Sequence, residues 1–343
     1  MSIYALIYLA AISLISVIFT IRDKNAARKN ARRMKERTLL AVSVAGGSAA
    51  MLLTMLVVRH KTRHKKFMFG IPVIILFQIV IIAFVFNSSL SVSRYDVETD
   101  KISGQIKLAL VTDLHSCDYG DGQRELINAI DAERPDAVLL CGDNYDDRKP
   151  SDYTTHLVRA ISEKYVCYYV SGNHDTEDEY KIIVETYGVI VLEGMSEILE
   201  VGGDKICIAG IDDPDVERYA NAGRITSRSE PYAEQLSRLS EELIGNELLT
   251  ILLSHRPERI DEFLPLKPDL VLSGHAHGGQ WRLPMLLENG LLSPNQGLFP
   301  KYTNGKYFFG DTILIVSRGL ARESTAVIPR IFNRPEIVIV TLR

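Results

Sequence analysis

Five points in the last two-thirds of this 343-residue chain carry side chains that can hold a metal ion or move a proton: Asp113-Leu114-His115, Gly142-Asp143-Asn144, Gly172-Asn173-His174-Asp175, Ser254-His255 and Gly274-His275-Ala276-His277. Carboxylate, imidazole and amide oxygen without cysteine form a donor set for Mn²⁺, iron or Zn²⁺ rather than for a soft metal. In Asp113-x-His115 and His275-x-His277 the paired side chains, two residues apart, would leave a strand on one face, so that a single ion could take both. Gly274, Gly278 and Gly279 would let the backbone come close to a bound ion, and Gly142 and Gly172 would do the same ahead of Asp143 and Asn173. Any one of these motifs arises easily by chance. Together they use five of the six histidines that follow residue 100, leaving only His156 elsewhere, and scattered core histidines would not sort themselves so.

The elements that must position them follow from hydrophobic pattern. Short apolar, β-rich runs at 106–111, 137–141, 166–170, 206–211, 249–253 and 270–272 are predicted strands, with helices over 123–134, 152–163, 177–187 and 232–245. Pro231 suits the start of the last helix. Two more strands, 312–316 and 336–342, close the domain, and the alternation is that of an α/β fold. Five of the strands stop at one of the five motifs. In open α/β sheets ligands bind outside the carboxyl ends of the strands, so the motifs converge on one crevice.

The first 90 residues are of another kind. Uncharged apolar stretches at 3–21, 38–58 and 67–90 are each near the roughly 20 residues that a membrane-spanning helix needs. A signal peptide is the weaker reading of the first, which has no positive n-region and no A-x-A site. The net charge of −4 is split: residues 22–66 hold 13 Lys and Arg against Asp23 and Glu36, leaving everything beyond at −15. An acidic remainder argues against a nucleic-acid surface, which needs clustered cations, whereas the basic stretch suits a membrane. Both connecting loops are basic, with eight Lys and Arg in the first and five in the second. The more basic first loop, taken as cytoplasmic, puts the C-terminal domain in the cytoplasm if all three stretches cross. If the second, weakened by Gly46-Gly47-Ser48, only dips in and returns, the domain lies outside. His60 and His64 read as solvated or headgroup-facing. Cys117, Cys141, Cys167 and Cys207 show no C-x-x-C pairing and read as buried thiols.

The motifs D-L-H, P-D-A-V-L-L-C-G-D, S-G-N-H-D, A-G-I-D-D, L-L-S-H-R-P-E, S-G-H-A-H-G-G-Q and R-P-E-I together resemble the calcineurin-like metallophosphoesterases, in particular a bacterial branch with a transmembrane N-terminus, over 106–343. The anchor, with Glu36-Arg37-Thr38-Leu39-Leu40 and Arg59-His60-Lys61-Thr62, is similar to a small bacterial integral-membrane family of unknown function. The resemblance implies a four-layer α/β/β/α sandwich behind a three-helix anchor at 1–90 and a linker at 91–105. It implies one divalent ion on Asp113, His115 and His277, another on Asn173, His255 and His275, and Asp143 bridging them. Mn²⁺ is the first expectation, with iron, Zn²⁺ or Mg²⁺ as alternatives. Two such ions would activate a shared water and offset charge in an in-line displacement at phosphorus. His174 matches the family's catalytic histidine, with Asp175 a candidate to orient its ring; Arg256 and Arg318 are candidates to bind substrate phosphate. Asp212 and Asp213 would line the cleft or sit in a solvated turn. Two departures stand out: Ala276 where relatives often carry Thr, and Asn144-Tyr145-Asp146 in place of a more apolar sequence. The implied reaction is hydrolysis of a phosphodiester or pyrophosphate bond, on a lipid-linked or nucleotide-sugar substrate like that of UDP-diacylglucosamine hydrolases. The alternatives are a phosphomonoesterase or broad phosphodiesterase merely localised by its anchor and, remotely, a non-catalytic scaffold.

Overall fold

Fourteen strands punctuate the chain from residue 91 onward in the computed structural model, which describes residues 3–225, 227–322 and 328–343. They are β1 (Ser91–Val97), β2 (Ile106–Val111), β3 (Ala137–Cys141), β4 (Val166–Val170), β5 (Ile190–Val191), β6 (Met195–Val201), β7 (Asp204–Gly210), β8 (Leu249–Leu253), β9 (Leu270–Ser273), β10 (Leu292–Ser293), β11 (Gly297–Leu298), β12 (Gly305–Phe309), β13 (Thr312–Val316) and β14 (Glu336–Leu342). Two six-stranded sheets result, in the orders β1-β14-β2-β3-β4-β5 and β12-β13-β9-β8-β7-β6, with β10 and β11 forming a separate small pair. The strands β2, β3 and β4 run parallel in the first sheet, and β7, β8, β9 and β13 run parallel in the second.

The layers follow from the period-two alternation of side chains. Leu108 and Leu110 of β2, Leu139 of β3, Leu249, Ile251 and Leu253 of β8, and Leu270 and Leu272 of β9 belong to one buried cluster shared by the two sheets. Their neighbours point the other way. Ala109, Val111, Val138 and Leu140 pack with Leu126, Ile130, Leu157 and Ile161 from the helices Arg124–Glu133 and Asp152–Ser162. On the far side, Leu252, Val271 and Leu314 pack with Leu239 and Leu243 of the helix Tyr232–Leu243 and with Phe263. Helix, sheet, sheet, helix is the expected four-layer sandwich, and buried strands that read as continuous apolar runs are what two covered faces require.

The expected linker is not one. Residues 91–97 form β1, paired in parallel with β14 from Ser91 opposite Glu336 to Val97 opposite Leu342. Its polar residues alternate with apolar ones because it is an edge strand with one half-exposed face.

Contacts separate an N-terminal unit, Met1–Asn87, from the unit that begins at Ser88. In the N-terminal unit, Leu6–Arg28, Glu36–Val57 and Lys65–Val85 are helical and long and apolar enough to cross a membrane. The second is kinked: two helical stretches, Glu36–Val42 and Ser48–Val57, meet across a wide turn at Ser43–Gly47, where Gly46 has non-helical φ of +113°. A wide turn frees carbonyls that water cannot satisfy in an apolar medium. Gln78 of the third helix meets them, donating to Ser43 O and Val44 O at 2.9 Å each while accepting from Ser48 Oγ at 2.6 Å. His60 is not solvated as expected: it is buried, with Nε2 2.8 Å from Asp23 Oδ2, and Lys61 Nζ lies 3.1 Å from the same oxygen.

Candidate metal centre

Each parallel strand that ends at the site edge hands the chain to a tight loop. Beyond β2 come Asp113 and His115, beyond β3 Asp143, beyond β4 Asn173 and His174, beyond β8 His255, and beyond β9 His275 and His277. Asp113, His115, Asp143, His275 and His277 all have left-handed backbone, with φ between +47° and +65°. Non-glycine residues adopt that region at a cost of about 1–3 kcal/mol each, and such strain concentrates at functional sites. The geometry therefore differs from a shared strand face: β2 ends at Val111, and the two-residue spacing of Asp113 and His115 works through consecutive left-handed turns. The loops are tied to one another, both within the first sheet and across the sandwich. His275 N donates to Asp113 Oδ1 at 3.0 Å, His115 N to Asp143 O at 3.0 Å, and His174 N to Asp143 Oδ1 at 2.7 Å. Two glycines are there for space: a Cβ on Gly172 would lie 2.2 Å from Asp143 Oδ1, and one on Gly274 would lie 2.4 Å from Asp113 Oδ2.

Two triads of ligand atoms result. Asp113, His115 and His277 bring theirs within 4.8 Å of one another, and so do Asp143, His255 and His275. Asp143 links the two, its Oδ2 being 3.1 Å from His255 Nε2 and 3.6 Å from His115 Nε2. All six residues are buried. Asn173 lies between Gly172 and His174, and its buried Oδ1, like Nε2 of His115, has no hydrogen-bond partner among the described residues; Nε2 of His255 has only the Asp143 carboxylate beside it. Buried polar atoms without partners are rare and costly unless something absent from the protein atoms satisfies them.

The other ring nitrogens explain why those lone pairs are free. His115 Nδ1 faces Asp146 Oδ2 at 3.0 Å, His255 Nδ1 faces Cys141 O at 2.9 Å, and His275 Nε2 faces Asn295 Oδ1 at 2.9 Å. Each oxygen accepts a proton from its ring and so fixes the tautomer, leaving the opposite nitrogen to a cation, as carboxylates and carbonyls behind metal-binding histidines commonly do. His277 differs, with Arg330 Nη2 3.3 Å from its Nδ1. Electrostatics point the same way. Burial disfavours a charged ring at His255, yet Asp143 and Asp113 outweigh it and raise its pKa to about 10. His275 is lowered to about 3 by burial first and then by His255. In the protein alone, a proton on His255 offsets the buried carboxylates; a divalent cation would displace it.

His174 stands at the rim, its ring edge-on to His115 at 5.0 Å between centroids. Asp175 does not orient it. Its carboxylate accepts instead from the backbone of Asp143 at 3.1 Å and Asn144 at 2.9 Å, and burial followed by Asp143 raises its pKa to about 6. The partner of His174 Nδ1 is Asp147 Oδ1 at 2.8 Å. Burial acts against a charged His174, but Asp143 and Asp147 prevail and its pKa is raised. Sequence reasoning missed both Asp146 and Asp147, although the departure at Asn144-Tyr145-Asp146 was the signal.

Neither arginine candidate is available to substrate. Arg256 is buried, with Nε 2.6 Å from Asp213 Oδ2, Nη2 2.9 Å from Asp213 Oδ1, and a further contact at 2.9 Å to Asp215. Arg318 is ion-paired with the buried Glu336 and donates to Ser91 Oγ at 3.2 Å. Asp213 and Asp212 are likewise buried and paired, not lining the cleft or solvated; Asp212 meets Lys181 at 2.8 Å and Ser171 Oγ at 2.7 Å. Lys181 is 2% exposed and also contacts Glu193 and Ser229. Removing one partner of such a pair leaves an uncompensated buried charge. Lys181→Met is therefore expected to cost about 3–5 kcal/mol of unfolding free energy, measurable by urea titration.

Comparison with known proteins follows the same lines. A family model described as calcineurin-like phosphoesterase matches residues 106–279. Another, for a protein family of unknown function (DUF1294), matches residues 13–67. The Bacillus subtilis metallophosphoesterase YkuE is 30% identical over 249 residues, covering 69% of this chain and 79% of the relative. The Campylobacter jejuni metallophosphoesterase Cj0846 is 27% identical over 321 residues, covering 89% of this chain and 78% of that protein. Among solved structures, Haemophilus influenzae NAD nucleotidase has a TM-score of 0.43 at 15% identity over 63% of this chain, which spans 46% of that protein. The family match, the relatives and the chemistry of the buried donor set agree: this chain belongs to the calcineurin-like phosphoesterases and is a metal-dependent phosphate-ester hydrolase.

Proposed function

We propose that the chain is a membrane-anchored phosphoesterase that hydrolyses a phosphodiester or pyrophosphate bond, with a lipid-linked or nucleotide-sugar substrate. The observation that carries the reading is the pair of buried ligand triads joined through Asp143, beside which His115 Nε2 and Asn173 Oδ1 are buried with no hydrogen-bond partner among the described residues. Asp113, His115 and His277 would hold one divalent ion, Asn173, His255 and His275 would hold the other, and Asp143 would be shared between them. Mn²⁺ suits the mixed oxygen and nitrogen donors, with iron, Zn²⁺ or Mg²⁺ as alternatives. When bound, the two ions supply an activated water and positive charge for the phosphoryl oxygens. The protein's own contributions are separable. Asp146 and Asn295 hold ligand rings in one tautomer. His174, braced by Asp147, stabilises charge on phosphorus or returns a proton to the leaving oxygen. Loss of that brace frees the ring without removing it, so Asp147→Ala is expected to lower kcat about 10–100-fold with metal content unchanged, measured by steady-state kinetics and elemental analysis.

The anchor reading rests on the three apolar helices and their basic loops. The more basic first loop favours a cytoplasmic domain. The experiment is turnover by the full chain in detergent with Mn²⁺, comparing bis(p-nitrophenyl) phosphate with p-nitrophenyl phosphate and then a panel of nucleotide-sugar and lipid phosphates. Preference for the diester supports the proposal. Preference for the monoester favours the phosphomonoesterase alternative, and no turnover on any member would leave only a scaffold.

A further inference from the structure

The catalytic domain leaves large apolar side chains in the open along one excursion, residues 281–299, between the His277 loop and β12. Met285 and Leu286 are 89% and 84% exposed, Leu298 and Phe299 are 65% and 70% exposed, and Trp281 and Leu283 are partly so. The excursion is built rather than frayed. Leu283 bridges Leu287 across a tight turn, with Met285 at its tip in left-handed backbone at φ of +67°. Beyond it, β10 and β11 form a hairpin that sets Leu298 opposite Leu292. Its base is stapled to the metal loop. Leu291 N donates to Gly279 O at 2.8 Å, and Asn295 Oδ1 accepts from His275 Nε2 at 2.9 Å. Gly279 and Gly290 meet so closely that a Cβ on Gly279 would lie 2.7 Å from Gly290 Cα.

Exposed apolar groups of this size, held on a rigid base, mark a surface that works against an apolar partner. We propose that residues 281–299 dip their apolar tips into the interface of a lipid bilayer, and so present the metal centre to phosphate groups lying at that surface. The proposal rests on the membrane-anchored reading above. Three observations select the bilayer as occupant. The same chain carries three helices apolar enough to enter one. Only residues 86–90 join the last of them to β1, a tether that reaches about 20 Å at full extension. The exposed Lys301 follows the apolar tips, as cations do in segments that lie on anionic lipid, while Glu288 is exposed within the segment and Arg282 is half-buried toward Glu336. The consequence is a substrate preference: a phosphate that arrives with its acyl chains in the membrane meets the site directly, whereas a soluble ester gains nothing from the excursion.

Trp281 is the only tryptophan in the chain and stands on this excursion, so its fluorescence reports the contact without any label. The full chain would be reconstituted into phosphatidylcholine–phosphatidylglycerol vesicles with or without brominated acyl chains, and incorporation checked by flotation. Brominated lipid is expected to quench Trp281 emission by about half. The double variant Met285→Asp, Leu286→Asp should float equally well, lose most of that quenching, and cleave bis(p-nitrophenyl) phosphate at the unaltered rate. On a phosphodiester carrying two long acyl chains its rate should fall about tenfold, because the site is no longer held at the substrate's surface. Emission that is insensitive to bromine in protein that floats would overturn the proposal, as would a bromine-insensitive emission shift that grows with protein density, the mark of a second copy covering the tips. Quenching with no hydrolysis of either ester would instead refute the enzymatic reading and leave the membrane contact standing.

Discussion

Asp143→Asn is expected to lower turnover by at least about 10⁴-fold while leaving the domain folded. The substitution keeps the shape of the side chain. An asparagine Oδ1 can still accept from His174 N, which lies 2.7 Å from Asp143 Oδ1, and its amide nitrogen would fall where Oδ2 now stands, 3.1 Å from His255 Nε2. That nitrogen can donate to the ring, so nothing buried is orphaned. A charge shared between two ion positions disappears, however, and with it the group that holds them together. Circular dichroism should match the wild type, thermal unfolding should match that of the metal-stripped wild type, and elemental analysis should show ion content well below that of the wild type. A variant with normal rates would remove Asp143 from the chemistry.

Stripping the metal is expected to have the second largest effect. With ions bound, Asp113 and Asp143 face positive charge; without them, two carboxylates buried in one pocket face each other and a proton on His255. Activity should drop to background in chelator and return on adding Mn²⁺. Stability should follow by mass action: ligand at a hundred times its dissociation constant contributes about 2.7 kcal/mol, which for a domain of this size shifts Tm by about 5–10 °C. Calorimetry with and without chelator reads the shift. An unchanged Tm would mean that the donor set holds no ion in the folded protein.

What the sequence disclosed and what it hid divide along physical lines. The central strands, β2, β3, β4, β8 and β9, were legible because each is covered on both faces and therefore reads as an unbroken apolar run that stops at a polar loop. The edge strands were not. Ser91-Val-Ser-Arg-Tyr-Asp-Val of β1 and Met195-Ser-Glu-Ile-Leu-Glu-Val of β6 show half a surface to water, and β1 is defined by a partner more than 240 residues away. No local pattern encodes that pairing. Its practical consequence is that a soluble fragment should begin at residue 88 or earlier, since a start at 95 would cut through β1.

At the site, residue type and order marked the donors, because carboxylates and histidines placed after apolar strands are costly unless used. The backbone geometry was hidden. The left-handed conformation of Asp113, His115, Asp143, His275 and His277 depends on loops packed against each other across the sandwich, and a strand-face argument mispredicted it. Partners were hidden too. Asp175 was named as the brace for His174 on adjacency alone, whereas Asp147, 27 residues back in the chain, supplies the contact. Arg256 and Arg318 read as free phosphate binders because Asp213 and Glu336, their partners at sequence distances of 43 and 18, could not be matched to them beforehand.

Two cations per folded chain are what the hydrolytic chemistry requires. Inductively coupled plasma mass spectrometry of active, detergent-purified protein is the measurement that addresses this requirement. Two divalent ions per polypeptide, falling in Asp143→Asn in step with activity, are the expected result; full activity in protein that carries no divalent ion would contradict it.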